Sequence, residues 1–263
     1  NYRKTLGLLR DLKGVKTVGI IAEYPERGLV EIARPVGVVA AITPSTNPAA
    51  TPANKVINAL KCRNAVIIAP SPKGWSTSQA LIGYIHAELK KLGLPTDLVQ
   101  CLPAPVTKDT TQELMRQADL VVATGSQSNI RAAYTCGTPA FGVGAGNVAS
   151  IIDSSANLAE AAAAIMASKT FDNATSCSSE NSVVILDDVY AGAVAALQAT
   201  GGVMLDGAEK AQLQAAMWPG GKLAAAVTAQ KASRIAELAG LRGERFEKAR
   251  FLMVEESGTG PDH

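Results

Sequence analysis

Histidine is nearly absent from this chain, which removes the commonest ways of activating a nucleophile. Of 263 residues only two are histidine, His86 and His263. His86 lies in "SQALIGYIHAELKKLG", a pattern typical of a helix, where a partly buried histidine without a catalytic role is the usual case. His263 is the last residue. The chain therefore has almost no histidine from which to form a Ser-His-Asp triad or a Cys-His pair. Any nucleophile must be activated without imidazole.

Cysteine is scarce as well. The four cysteines, Cys62, Cys101, Cys136 and Cys177, show no paired spacing. This argues against a disulfide framework and against a zinc cluster, so we expect no metal site. Unpaired cysteines are typical of a reducing compartment, and the sequence predicts a cytoplasmic protein.

Neither an excess of one charge nor a long apolar run is present. The net charge is +2, and no block of Lys and Arg exceeds two residues, so nothing indicates a nucleic-acid partner. No uninterrupted apolar run reaches the length of a bilayer span. The first 13 residues interleave charged with apolar side chains, which is typical of an amphipathic helix and not of a signal peptide. We therefore expect no membrane association.

Apolar residues make up 47% of the chain, enough for a large core and two domains. A hairpin is predicted over 16–23 and 28–34, after the first helix. From Arg34 onward, apolar runs without alternation are each followed by a helical run. The predicted strand and helix pairs are 36–44 with 52–62, 64–72 with 77–93, 97–103 with 108–118, 119–126 with 128–135, and 140–153 with 157–170. Strands of this kind are buried on both faces, so the pattern predicts a doubly wound parallel α/β sheet of the Rossmann type.

A second α/β series follows Cys177. Its predicted segments are 181–188, 189–201, 207–218, 231–240 and 249–257. We place a domain boundary near residue 170, which gives an N-terminal helix and hairpin over 1–33, a first domain over 34–170 and a second over 171–263. The chain stops soon after a strand-like run, so we expect a fragment of a larger fold.

Ligands of doubly wound sheets bind at the carboxyl ends of the strands. The predicted ends are 42–48, 69–73, 102–106 and 124–126. Among them, "TGSQSNI" (124–130) joins a strand to a helix, so Gly125 and Ser126 suit either a phosphate or an ordinary Ser N-cap. "GVGAGN" (142–147) invites a dinucleotide-binding interpretation, but a strand-like run follows it where the fingerprint needs a helix.

Two polar loops have ambiguous roles. Asn47 in "TPSTNP" is a turn residue by default, although an amide at a strand end could donate to an oxyanion. Cys177 stands in "FDNATSCSSENS" (171–182), and composition alone does not separate it from the three other thiols.

Four blocks in a fixed order resemble the aldehyde dehydrogenase superfamily, in its CoA-acylating branch. The blocks are 34–74, 121–130, 141–153 and 170–184, and the resemblance covers nearly the whole chain. It implies a cofactor domain over 34–170 that binds NAD or NADP and an incomplete catalytic domain over 171–263. It also implies a homodimer or homotetramer of the full-length protein.

The resemblance implies roles for individual residues. Cys177 corresponds to the thiol that attacks an aldehyde, and Asn47 to the amide that holds the oxyanion together with the Cys177 backbone N–H. Hydride then passes to NAD(P)⁺ and leaves a thioester on Cys177. The residues implied to line the cofactor are Thr43, Pro44, Ser45, Thr46, Ser71, Pro72, Lys73, Gly125, Ser126 and Gly142.

One departure concerns the base that activates water in hydrolytic members. Gly142 stands at the position of that glutamate, and no carboxylate occurs between Asp119 and Asp153. Without a base, water should attack the thioester slowly, whereas a thiol needs less help. We therefore expect transfer to CoA, and we hypothesise that the space freed at residue 142 admits the pantetheine thiol.

A second departure leaves the cofactor open. The loop with Ser71, Pro72 and Lys73 has no carboxylate to bind a ribose 2′-hydroxyl or to repel a 2′-phosphate, so either NAD or NADP is compatible. Acetaldehyde, succinate semialdehyde and sulfoacetaldehyde enzymes share these motifs. An anionic aldehyde would need a cation, for which Arg63, Lys73 and Arg131 are candidates.

Two alternatives remain at this point. The chain could be a non-acylating, hydrolytic aldehyde dehydrogenase with another base, which CoA dependence would separate. It could also be a non-catalytic nucleotide-binding α/β domain. In that case the four thiols would react alike and without regard to the cofactor.

Overall fold

The N-terminal segment forms the helix and hairpin that the sequence predicts. The computed structural model describes residues 2–144 and 146–258. Helix α1 (Tyr2–Leu12) is followed by strands β1 (Gly19–Tyr24) and β2 (Leu29–Ala33), which pair antiparallel. Gly28 precedes β2 with a φ of +61°, a left-handed conformation in which glycine is favoured.

A five-stranded parallel sheet follows. Its elements are β3 (Val38–Thr43), α2 (Ala50–Lys61), β4 (Ala65–Pro70), α3 (Trp75–Lys91), β5 (Val99–Cys101), α4 (Lys108–Gln117), β6 (Leu120–Thr124), α5 (Gln127–Thr135) and β7 (Ala140–Val143). The strand order is β5-β4-β3-β6-β7, and every neighbouring pair is parallel. The predicted doubly wound sheet is confirmed.

The central strand β3 shows why its sequence lacks alternation. Successive side chains of a strand point to opposite faces. Ala40 and Ile42 pack with α4 and α5 on one face, while Val39 and Ala41 pack with α2 and α3 on the other. Both faces are covered by helices, so apolar residues are required at every position of the strand.

The remaining elements form smaller parallel pairs. They are β8 (Val148–Ile152), α6 (Leu158–Thr170), β9 (Glu180–Ile185), α7 (Tyr190–Ala199), β10 (Gly202–Met204), α8 (Gly207–Met217), α9 (Ala232–Leu238), α10 (Glu244–Glu247) and β11 (Phe251–Met253). Strand β8 pairs with β9, and β10 with β11. Ile152 of β8 and Phe251 of β11 share one core cluster with residues of α6 and α7.

The prediction of one strand over 140–153 is wrong. The segment contains two strands, β7 and β8, which belong to different sheets. Glycines at 142, 144 and 146 interrupt an apolar run that continues on both sides. The chain divides into compact units at 1–145 and 146–263, so α6 belongs to the second unit although the sequence places it in the first domain. The functional assignment of the two ranges stays a prediction.

No helix within the described residues is long and apolar enough to cross a membrane.

Candidate active site

The strand order of the first unit defines where a ligand would bind. From β3 the chain crosses to β4 on one side, and the later strand β6 lies on the other side of β3. The helices that follow these strands cover opposite faces of the sheet. Such a reversal opens a crevice at the carboxyl ends of the two central strands. The loops there contain Asn47, after β3, and Gly125 with Ser126, after β6.

The loops after β3 and β4 are held side by side at this end of the sheet. The backbone N–H of Ser71 donates to the Thr43 carbonyl over 3.0 Å, and the Ser78 hydroxyl donates to the Pro48 carbonyl over 3.0 Å. A Cβ on Gly74 would lie 2.8 Å from the Pro48 Cβ, so glycine permits the close approach. The structure therefore brings Thr43–Asn47 together with Ser71–Lys73, all of them predicted cofactor or oxyanion residues.

Two buried oxygens in this loop have no hydrogen-bond partner among residues 2–144 and 146–258. They are the Asn47 Oδ1 and the Thr43 Oγ1, and Thr43 is only 2% exposed. A buried polar atom without a partner costs free energy and is uncommon in folded proteins. The other end of the Asn47 amide, Nδ2, is the type of donor that an oxyanion needs.

Lys55 is a residue that the sequence interpretation missed. Its Nζ donates to the Ile42 carbonyl over 2.8 Å and to the Val122 carbonyl over 2.6 Å, so it bridges the ends of β3 and β6. Burial lowers the pKa of Lys55 to about 7. A neutral amine keeps two N–H donors, the number that the two carbonyls accept. The available signal was a lysine in the interior of α2, the helix that starts at the ligand-binding end of the sheet.

A cavity of about 190 Å³ adjoins Lys55 along α2. The residues that line it are Val39, Lys55, Asn58, Ala59, Cys62, Asn64, Leu120 and Val122. Most are apolar or neutral, and such surroundings disfavour the charged form of the lysine.

Ser126 acts as the N-cap of α5. Its Oγ accepts from the backbone N–H of Asn129 over 3.4 Å and lies 2.9 Å from the Ser128 Oγ. In this structure Ser126 therefore serves as an ordinary N-cap. Phosphate binding by Gly125 and Ser126 stays a prediction.

The glycines of "GVGAGN" close β7 and lead into β8, so the helix required by a dinucleotide fingerprint is not there. A Cβ on Gly142 would lie 2.8 Å from the Ile130 Cγ2 and 3.0 Å from the Tyr134 Cε2. Side chains of α5 thus fill the direction in which residue 142 would point. The hypothesis that this position leaves room for the pantetheine thiol is wrong, because that room is occupied.

Cys177 lies in the second unit, after a strained turn. Its side chain is exposed. Asp172, Asn173 and Ala174 have φ angles of +53°, +49° and +58°, three successive left-handed residues of which none is glycine. This conformation costs free energy at each residue and is found where the surroundings enforce it, often at active sites.

Side chains hold the turn in place. The Asn173 Nδ2 donates to the Ala229 carbonyl over 3.0 Å, and the Thr175 hydroxyl donates to the Asp172 carbonyl over 2.7 Å. These two hydrogen bonds tie the turn to neighbouring backbone just before Cys177.

Charged residues flank the loop that carries Cys177. The Lys169 Nζ donates to the Asn181 Oδ1 over 3.3 Å. Burial lowers the pKa of Lys169, and the nearby Glu180 carboxylate opposes that shift. The Glu180 Oε2 is buried, and no atom in the described part of the chain forms a hydrogen bond with it.

The structure separates the three candidate cations. Arg63 precedes β4, and the next residue, Asn64, accepts at its Oδ1 from the N–H groups of Val36 and Gly37, which precede β3. Arg63 therefore lies at the amino end of the sheet, opposite the crevice. Lys73 follows β4 at the carboxyl end, and Arg131 lies exposed on α5.

Within the described residues, no group of three or more His, Cys, Asp or Glu side chains is placed to hold a metal ion.

Comparison with known proteins decides the family. The model of the aldehyde dehydrogenase family matches residues 1–239. The chain belongs to the aldehyde dehydrogenase family. Within this family it is 68% identical, over all 263 residues, to sulfoacetaldehyde dehydrogenase (acylating) of Cupriavidus necator, and it spans 53% of that relative's length.

Solved aldehyde dehydrogenases have the same fold. An acetylating aldehyde dehydrogenase of Geobacillus thermoglucosidasius superimposes with a TM-score of 0.89 at 36% identity, over 97% of this chain and 56% of that one. Propionaldehyde dehydrogenase of Rhodopseudomonas palustris, with bound CoA and an acylated cysteine, superimposes with a TM-score of 0.78 at 26% identity, over 87% of this chain and 52% of that one. The chain thus spans about half the length of these relatives, as expected of a fragment.

Proposed function

We propose that the full-length protein oxidises sulfoacetaldehyde to sulfoacetyl-CoA, with CoA and NAD(P)⁺ as co-reactants. The observation that carries this proposal is the 68% identity to an acylating sulfoacetaldehyde dehydrogenase. The match covers the whole chain and therefore spans both compact units.

The proposed reaction begins at Cys177. Its thiolate attacks the aldehyde carbon, and the resulting oxyanion accepts hydrogen bonds from the Asn47 Nδ2 and the Cys177 backbone N–H. NAD(P)⁺, when bound, accepts the hydride that leaves this carbon. A thioester then joins the acyl group to the Cys177 sulfur. The left-handed turn over 172–174 precedes this thiol and is tied to the Ala229 carbonyl by Asn173.

Gly142 supports CoA as the acyl acceptor. Residue 142 has no carboxylate to take a proton from water, and the side chains of Ile130 and Tyr134 occupy the adjacent space. Hydrolysis therefore lacks a general base at this position, whereas a thiol forms its own strong nucleophile on ionisation.

The crevice of the first unit suits a dinucleotide. The reversal between β3 and β6, the paired loops after β3 and β4, and the α5 N-terminus are the features that such cofactors use. We assign the cofactor contacts to Thr43–Thr46, Ser71–Lys73, Gly125 and Ser126. The absence of a carboxylate from 71–73 is compatible with both NAD and NADP.

An anionic aldehyde needs a cation in the site. Lys73 follows β4 at the carboxyl end of the sheet, and Arg131 lies exposed on α5. We propose these two residues over Arg63, which lies at the amino end. We further propose a cytoplasmic location, since all four cysteines are free. A homodimer or homotetramer of the full-length protein is proposed from the family resemblance alone.

The test uses the full-length protein. We expect acyl-CoA and NAD(P)H in equal amounts with sulfoacetaldehyde, and a kcat/KM well above that for acetaldehyde or succinate semialdehyde. Omission of CoA should stop turnover after one equivalent of NAD(P)H per active site. Carboxylate formation without CoA at the same rate would show a hydrolytic enzyme instead, and preference for another aldehyde would overturn the substrate.

The nucleophile is tested separately. Cys177→Ala should abolish acyl-CoA formation and retain dinucleotide binding, while Cys136→Ala, the matched control, should retain both. Turnover by Cys177→Ala would refute the assignment. Nucleotide binding without any turnover in the unaltered protein would favour the non-catalytic nucleotide-binding domain.

A further inference from the structure

The loop that carries Cys177 runs from the end of α6 to the start of β9. Helix α6 ends at Thr170, and β9 begins at Glu180. Within the loop, the backbone N–H of Ser179 donates to the Ser176 carbonyl over 3.1 Å, so Cys177 is the second residue of a hydrogen-bonded turn. The direction of the Cys177 backbone N–H, the proposed oxyanion donor, therefore depends on where the two ends of the loop are held.

Three contacts join the ends of this loop, and Lys169 makes two of them. The Ser179 hydroxyl donates to the Ser168 carbonyl over 3.5 Å. The Lys169 Nζ donates to the Asn181 Oδ1 over 3.3 Å and interacts electrostatically with the Glu180 carboxylate. The contacts thus connect the last turn of α6 to the start of β9.

Lys169 does not occupy the usual place of a lysine at a helix end. Such a lysine ordinarily extends into solvent, where it stabilises the helix through the helix dipole. The Lys169 side chain is instead directed at β9, and its burial lowers the pKa of the amine. A half-buried lysine that pairs with the next strand indicates a role beyond the end of its own helix.

The strand that receives this lysine is irregular at the same point. Val148 of β8 pairs with Glu180, and the next residue of β8 pairs with Ser182. Asn181 is therefore an extra residue at a shift in register. Irregularities of this kind re-aim a side chain and are common beside active sites. Here the re-aimed side chain is the amide that accepts from Lys169.

We propose that Lys169 is a positioning residue for Cys177, and that it acts by tying the end of α6 to Asn181 and Glu180. The tie holds both ends of the loop, so the thiol and the Cys177 N–H keep the spacing that attack and oxyanion binding require. Lys169 acts through the loop and needs no contact with the aldehyde. The inference rests on the proposed function, because it takes Cys177 as the nucleophile.

The first burst of NAD(P)H from the full-length protein tests the proposal. With sulfoacetaldehyde and NAD(P)⁺ but without CoA, the rate constant of the burst reports the chemistry at Cys177. The amplitude reports the fraction of active protein. Lys169→Met should lower the rate constant about tenfold at unchanged amplitude, because a small displacement of a reacting atom slows the reaction strongly. Lys169→Arg keeps the charge and the N–H donors, so it should recover most of the rate.

Lys248→Met provides the matched control. Lys248 lies in the same unit and forms an exposed ion pair with Glu244, so its replacement should leave the burst unchanged. The proposal is overturned if Lys169→Met lowers only the amplitude, since a purely structural residue changes the amount of folded protein and not the rate of the folded part. It is also overturned if Lys169→Arg is as slow as Lys169→Met.

Asn181→Ala keeps the test decisive if Lys169→Met does not fold. The Asn181 side chain is exposed, and its truncation should slow the burst without a large loss of stability. A burst of unchanged rate in Asn181→Ala would overturn the proposal. Where both variants fold, their combination should be no slower than Lys169→Met, because both remove the same contact. Multiplied losses would show two separate effects and would also overturn it.

Hydrogen exchange separates failure of this inference from failure of the proposed function. In Lys169→Met, the backbone amides of 171–179 should exchange faster than in the unaltered protein, while those of α9 should not change. If the unaltered protein gives no burst, the proposed function fails, and the exchange data still judge whether Lys169 holds the loop. If the burst is present and Lys169→Met changes neither its rate constant nor the exchange, only this inference fails.

Discussion

Replacement of Lys55 by methionine should change how the stability of the first unit depends on pH. The folded pKa of Lys55 is lowered by burial from 10.5 to about 7. Between these values the unfolded chain binds the proton and the folded chain does not, so rising pH stabilises the folded state. One pKa unit corresponds to about 1.4 kcal/mol, and the whole interval to about 5 kcal/mol at most. Below pH 7 the effect of Lys55 on the free energy of unfolding no longer changes with pH, because the amine is protonated in both states.

Lys55→Met removes both the titration and the two hydrogen bonds to the carbonyls of Ile42 and Val122. Each bond contributes about 0.5–1.5 kcal/mol. At pH 10 the variant should therefore be less stable than the unaltered chain. Toward pH 7 the difference in stability between the two chains should shrink or reverse. Near that pH, folding of the unaltered chain requires the buried Lys55 amine to lose its proton or to be buried with its charge, and either one costs free energy.

Urea unfolding followed by the fluorescence of Trp75 measures this difference. Trp75 lies in the same unit as Lys55, and its indole N–H donates to the Leu102 carbonyl over 3.0 Å. Trp218→Phe removes the signal of the second unit. Lys90→Met, on the exposed side of α3, should give a curve parallel to that of the unaltered chain. A constant separation between the Lys55→Met curve and the unaltered curve from pH 7 to 10 would refute the reasoning.

Three further predictions use simpler readouts. In the full-length enzyme, Asn47→Ala should lower kcat by about 10²–10³ through loss of an oxyanion donor, with little change in KM for the aldehyde. Asn58→Ala, at an exposed amide of helix α2, is the control, and an unchanged kcat in Asn47→Ala would contradict the role. Ile82→Ala should lower the free energy of unfolding by about 2–5 kcal/mol, since Ile82 is 1% exposed. Urea unfolding measures this loss. A loss below about 1 kcal/mol would show that neighbouring side chains fill the space left by Ile82. Iodoacetamide at pH 8 should label Cys177 first and Cys101 last, because burial raises the pKa of Cys101 to about 11. Peptide mass mapping measures the labelling of each cysteine. Equal labelling of all four cysteines would argue against a reactive Cys177.

The sheet was predictable because its strands carry a strong signal. Apolar residues without alternation in 38–43 and 65–70 indicate strands buried on both faces, and the intervening helical runs indicate parallel crossovers. The position of Asn47 at a strand end followed directly from this pattern. The order of the strands in the sheet could not be predicted in this way, because it depends on contacts between distant segments.

Other features depend on packing that the sequence does not display. The break between β7 and β8 was missed because both sides of the glycines are apolar, and β10 has only three residues. Lys55 was passed over since a lysine in a helix normally reaches solvent. The filling of the Gly142 position requires the places of Ile130 and Tyr134 across a turn, which no local pattern specifies.

The edges of the five-stranded sheet have a consequence for association between copies. Unpaired edge strands are templates for adding another strand, and proteins limit this with short or covered edges. One edge, β5, has three residues, and the other, β7, has four and carries the Tyr134 hydroxyl on Gly142. A further strand could join β7 only by displacing that hydroxyl. Assembly by continuing this sheet from one copy to the next is therefore disfavoured, and Tyr134→Phe should make the protein more prone to such aggregation.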